Sequence, residues 1–160
     1  ITGVLKQFFT DVYWGELDVL FIDMPPGTGD VALTILQEFP VSGVVMVSTP
    51  QPMVSMIVTK AIRMCRLMNI KIYGVVENMA YLNCPNCSEK IMFYNEDELN
   101  EFIASNEVKL YGTLPQADLI RNVNVYDSFN LKQQDDLKGY FSRIASELEK
   151  DMDLDAGADA

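Results

Sequence analysis

The chain has no histidine among its 160 residues. That excludes Ser-His and Cys-His nucleophilic sites and any His-ligated metal. Bases are scarce too, 12 against 23 acids, for a net charge of −11. Such a balance argues against broad binding to nucleic acid or to an anionic membrane. No apolar stretch is long enough to cross a bilayer, and no basic-then-apolar leader stands at the start. Cysteine is limited to three, two of them in a Cys-x-x-Cys pair. That usage fits a reducing compartment, and the cytoplasm is the expected location. The first residue is Ile1 rather than methionine and the pattern is helical at once, so the chain is expected to be the later part of something longer.

What is present is a globular composition, 49% hydrophobic and 22% charged, arranged as strands alternating with helices. Val4, Leu5, Phe8, Phe9 and Val12 give helical spacing over 2–13, and Val19 to Ile22 forms an apolar run typical of a strand buried on both faces. Asp30 is the expected N-cap of a helix that buries Ala32, Leu33, Ile35, Leu36 and Phe39 and stops at Pro40. Strands are expected over 43–48 and 71–77, with a helix from about Met53 to Met68 between them. The methionines at 53, 56, 64 and 68 are assigned to the core. An excursion with turn chemistry covers 81–93. A short acidic helix follows near 95–105, then a strand from Val108 to Leu114, and helices over 116–122 and 134–150. The order predicts an α/β domain over 1–150 with a doubly wound, mostly parallel sheet, and a disordered acidic tail over 151–160.

Three predicted strands end in polar loops, at Asp23, at Gln51 and at Asn78, and a fourth ends at Pro115. In a parallel sheet these ends share one edge, where ligands bind. An acid closing a buried strand and followed by Gly27-Thr28-Gly29 suits Mg²⁺ and phosphate, because glycine N–H groups approach a phosphate closely. Gly27-x-Gly29-x-x-Ala32 also fits the loose dinucleotide fingerprint. Pro25 and Pro26 stand where its tight turn should begin, and no acid closes a strand about 20 residues later. Cys84-Pro85-Asn86-Cys87 leaves three readings open: a redox dithiol, half of a metal site, or two structural loop cysteines. The redox reading wants a helix after the pair, whereas Ser88 to Tyr94 has an extended pattern. Zinc and iron–sulfur clusters want four ligands, which two chains related by a two-fold axis would supply. Cys65 falls inside the long helix as a buried apolar residue.

Five motifs in one order carry a resemblance: Trp14-Gly15-Glu16-Leu17-Asp18, Asp23-Met24-Pro25-Pro26-Gly27-Thr28-Gly29-Asp30, Thr49-Pro50-Gln51, Glu77-Asn78-Met79 and the cysteine pair. Over about residues 1–145 the chain resembles the Mrp/ApbC-type iron–sulfur carrier ATPases, cousins of MinD, ParA and the nitrogenase iron protein. The resemblance implies a P-loop NTPase fold, ATP with Mg²⁺, a homodimer, and a [4Fe–4S] cluster bridged by Cys84 and Cys87 for delivery to apo iron–sulfur proteins. It makes Asp23 the acid of the Mg²⁺ shell and Pro26 to Asp30, with Gly27 and Gly29, the switch loop for the γ-phosphate. Asn78 would meet the adenine, with Pro115 near it.

There are two departures. The aspartate often found two residues after the proline is Ala117 here, with Asp118 one later. No Gly-x-x-x-x-Gly-Lys-[Ser/Thr] occurs, so the loop that cradles the phosphates is missing, the sheet is expected to be incomplete on its N-terminal side, and the chain alone is expected to bind ATP poorly. The rival reading is a zinc-linked, non-enzymatic dimerisation module. A ParA/MinD-like positioning ATPase is disfavoured by the lack of a basic amphipathic helix.

Overall fold

The computed structural model describes residues 2–84, 86, 87, 89–116 and 135–156. Its elements run α1 Thr2–Thr10, α2 Asp30–Glu38, β1 Val44–Ser48, α3 Pro52–Leu67, β2 Ile72–Asn83, β3 Lys90–Met92, α4 Glu96–Asn106, β4 Leu110–Pro115 and α5 Asp135–Ala156. Among the described residues four strands form one sheet, and all of its pairings run through β2. β1 and β4 flank β2 in parallel, and β3 returns antiparallel along the far end of β2.

Helices cover both faces, as the doubly wound expectation requires. On one face Leu36 of α2, Val58, Ile62 and Cys65 of α3, Met46 and Val75 form a buried cluster, with Phe102 of α4 against it. On the other, Tyr73, Val76, Tyr111 and Leu114 pack on Leu148 of α5. Tyr73 and Val76 share a face although three positions apart, because the ladders on both sides of β2 slip near Gly74. A Cβ at Gly74 would lie 2.5 Å from the Lys109 carbonyl and 2.7 Å from the Tyr111 ring, so only glycine lets β4 approach there. Buried Asn106 ties α4 to α3: its carbonyl accepts from Arg66 and its Nδ2 donates to Thr59 Oγ1 (3.4 Å) as well as to the Phe102 carbonyl of its own helix (2.8 Å).

Five local expectations change. Residues 17–23 form no strand, and Val19, Leu20, Phe21 and Ile22 are 41%, 39%, 77% and 38% exposed. A strand exists through its ladder, and among the described residues none pairs with this segment; only Met24, just beyond it, packs against the core. α1 ends at Thr10 rather than at residue 13, and Phe9 stacks on Phe39 at 4.1 Å between centroids. Met53 and Met56 are 73% and 55% exposed, while Met64 and Met68 reach the core, because α3 turns only one face inward. β2 does not stop at Asn78 but continues to Asn83, where β3 pairs with it.

The acidic tail is the fifth. It is helical through Ala156, since Asp151 accepts from Lys109 Nζ (2.7 Å) and from the Tyr111 hydroxyl (2.5 Å) and Met152 packs on the second cluster. The helix expected over 116–122 and the Ala117–Asp118 departure lie outside the described residues but for Gln116. No described helix is long and apolar enough to cross a membrane.

The first cluster sets a direct test. Ile62 is fully buried and Ile57, on the same helix, is 46% exposed. Urea unfolding should show Ile62→Ala costing about 2–5 kcal/mol and Ile57→Ala within about 0.5 kcal/mol of wild type.

Candidate functional site

The parallel strands finish together. Ser48 of β1 stands opposite Glu77 of β2, and Glu77 opposite Thr113 of β4. Just past Ser48, Gln51 caps α3 with its main chain: its carbonyl accepts from Val54 (2.9 Å) and Ser55 (3.1 Å), and its side chain makes no cap bond. That leaves an exposed amide at the sheet edge.

Past Glu77 the β2–β4 ladder slips, so that the stretch from Glu77 to Tyr81 spans only Thr113 to Pro115. Asn78 and Met79 bulge out of the ladder as a result. Met79 takes a left-handed φ of 54°, and its N–H donates to Asn78 Oδ1 (2.9 Å). Bulges of this kind re-aim side chains beside binding sites. Gln51, Asn78 and Pro115 are thus gathered on one edge.

Asp23, Gly27, Gly29 and Asp30 form a second unit, a loop running straight into a helix. Asp23 is exposed and ends an extended segment rather than a paired strand. Gly27 has φ +87°, a conformation that favours glycine. Gly29, not Asp30, is the N-cap of α2, and Asp30 is its first helical residue. An N-cap needs extended dihedrals, and Gly29 has them at φ −74° and ψ 176°. The free N–H groups at this end and the glycines before it make a loop able to accept an anion. Met24 ties it to the first core cluster.

The cysteines occupy the tip of the β2–β3 hairpin. The Cys84 N–H donates to the Glu89 carbonyl (2.9 Å) and closes the turn, leaving Cys84 half-buried and Cys87 exposed, both as free thiols. Hydrogen bonds from the Asn86 and Cys87 N–H groups, then from the Cys87 thiol, hold the Cys84 thiol below its ordinary range. A thiolate so favoured is a metal ligand. An extended strand follows at Lys90–Met92, which removes the helix that a thioredoxin-like dithiol requires. Among the described residues no group of three or more potential ligands converges, so the hairpin tip offers the two cysteine sulfurs alone. Burial pushes the Cys65 thiol the other way, and it packs as a core residue.

Glu77 belongs to the edge but was given no role by sequence reasoning. It is 3% exposed, beside Ser48 at 1%. Burial raises its carboxyl, offset in part by the Ser48 hydroxyl. The available signal was an acid inside the apolar run Gly74-Val75-Val76-Glu77. A raised carboxyl binds more protons folded than unfolded, so stability should fall as pH rises from its ordinary value of 4.5 and level off above the raised one. Glu77→Gln should remove that slope in pH-dependent thermal melts and match or exceed wild type at neutral pH.

Comparison with known proteins bears on the family and the fold. The ParA family profile, described as NUBPL iron-transfer P-loop NTPase, matches residues 1–149. An iron-sulfur cluster carrier protein of Clostridium perfringens is 50% identical over 115 residues, covering 72% of this chain and 40% of that protein. The mouse iron-sulfur cluster transfer protein NUBPL is 34% identical over 151 residues, covering 92% of this chain and 47% of that protein. The chain therefore spans less than half the length of these relatives. A solved structure of a nucleotide-binding protein from Archaeoglobus fulgidus, in complex with ADP, superposes with a TM-score of 0.66 at 39% identity, over 75% of this chain and 49% of that one. With the profile spanning nearly all of its length and the sheet matching that neighbour, the chain belongs to the family of NUBPL-type iron-transfer P-loop NTPases.

Proposed function

We propose that the chain serves in iron–sulfur cluster transfer, with a [4Fe–4S] cluster as cargo held between two copies by Cys84 and Cys87 of each, and loading or release governed by MgATP. The observation that carries this reading is the hairpin tip, which displays two free thiols, one exposed and one biased toward thiolate. Four thiolates from a two-fold pair complete a cluster's ligand set. The names of the relatives, cluster carrier and cluster transfer proteins, support it.

For the nucleotide half, Asn78 receives the adenine, with Gln51 and Pro115 beside it, and Asp23 holds the Mg²⁺ shell. Gly27, Gly29 and Asp30 form the loop that answers to the γ-phosphate. The ADP complex of the Archaeoglobus fulgidus neighbour supports a nucleotide on this fold. MgATP supplies the free energy of phosphoryl transfer; the residues of this chain bind the base and orient the metal. Because β2 carries both Asn78 and the Cys84 end of the hairpin, base binding and cluster binding share one strand. Apo iron–sulfur proteins are the recipients.

Anaerobic reconstitution with iron and sulfide tests the cargo. Wild type should gain visible charge-transfer absorbance at one cluster per two chains, and the Cys84→Ala/Cys87→Ala double variant should stay at the no-protein blank. Equal spectra, or one zinc per two chains with no iron after anaerobic purification, would overturn the reading in favour of a zinc-linked dimer. Titration with MgADP tests the other half. Amide resonances of Gln51, Asn78 and Gln116 should move, with weak affinity because the sequence has no phosphate-cradling lysine loop. No movement at any of the three counts against the nucleotide edge.

A further inference from the structure

β3, the end of β4 and α5 enclose a cavity of about 180 Å³ that neither the cysteines nor the sheet edge uses. Tyr81 lines it, 1% exposed, and among the described residues its buried hydroxyl has no hydrogen-bond partner of good geometry. Burial, and then the approach of the Tyr140 hydroxyl, which falls short of good hydrogen-bond geometry, push the Tyr81 phenol far above its ordinary range, so it stays a donor. A buried donor left unpaired is rare and points to something that accepts from it.

The other polar groups lining the cavity are chiefly donors too: Arg143, Thr113, Tyr140 and Lys90, whose Nζ lies 4.5 Å from the centre of the Tyr81 ring. Among the described residues no carboxylate lines it, in a chain with 23 acids against 12 bases. The volume holds about six waters at the liquid share of each, enough for one small anion.

We propose that this cavity binds a small oxyanion, a phosphate or a carboxylate, with the Tyr81 hydroxyl donating to one oxygen and Arg143 and Lys90 neutralising its charge. Lys90 lies opposite Asn83 at the base of the cysteine hairpin. An anion held there ties the hairpin to α5 through Lys90 and Arg143. The site stands on Tyr81 and its two cations and does not depend on the cluster or nucleotide readings.

The test is thermal unfolding of the chain in inorganic phosphate or in succinate, at constant ionic strength set with sodium chloride. At least one anion should raise the melting temperature in a saturable way that chloride does not reproduce. Phosphate alone would identify a phosphate ligand, and succinate alone a carboxylate. Tyr81→Phe should melt no lower than wild type in chloride, since it removes an unpaired buried hydroxyl. Its saturation midpoint should nevertheless move at least about tenfold upward, as should that of Arg143→Gln. Three results would overturn the proposal: no saturable shift with either anion, a shift that survives both substitutions, or a Tyr81→Phe variant already destabilised in chloride. The last would make the hydroxyl an ordinary paired core group.

Discussion

Everything described in this chain hangs on the ladders of β2. β1 and β4 are held to it in parallel, β3 is held to its far end, and the two core clusters form on its two faces. A parallel pair cannot be closed by a short turn, so each ladder depends on a crossover that brings distant residues together. Those crossovers are α3, between β1 and β2, and the path through α4 to β4. The slip at Gly74 lets Tyr73 and Val76 face α5 while Val75 faces α3. The second slip, after Glu77, turns Asn78 and Met79 out of the ladder. One strand thereby sets both the core and the display of the binding edge.

Elements whose signal is local were legible in the sequence. β1, α3, α4 and β4 fell within a few residues of their expected bounds because apolar runs and helical spacing mark them directly. The caps were not read: Asn95 accepts from the Asp97 N–H at 3.0 Å at the start of α4. The misses are tertiary. Val19 to Ile22 has the composition of a buried strand, but composition does not supply a neighbour. The low hydrophobicity after residue 150 argued for disorder, yet Asp151 is held by Lys109 and Tyr111, about 40 positions away in sequence. No window along the chain contains that contact.

The site divides in the same way. The cysteine pair is a local motif, and the hairpin that presents it follows from turn residues between two extended runs. That Gln51, Asn78 and Pro115 stand near the same strand ends followed from topology, since parallel strands end together. Glu77 was hidden by its own strand, because its burial depends on β1 and β4 lying on either side. Tyr81 was hidden for the same reason. An aromatic inside an apolar run passes for packing until the groups around its hydroxyl are counted.

The outer edge of β1 has a consequence for handling the chain. Among the described residues β1 pairs only with β2, which leaves one row of its main-chain donors and acceptors unmatched beside Val47, itself 62% exposed. With Phe21 exposed in an unpaired extended segment, such an edge is a template on which further strands can grow. Colloidal behaviour would then depend on how crowded the solution is. Charge repulsion from a net −11 opposes that growth at low ionic strength and weakens as salt is added.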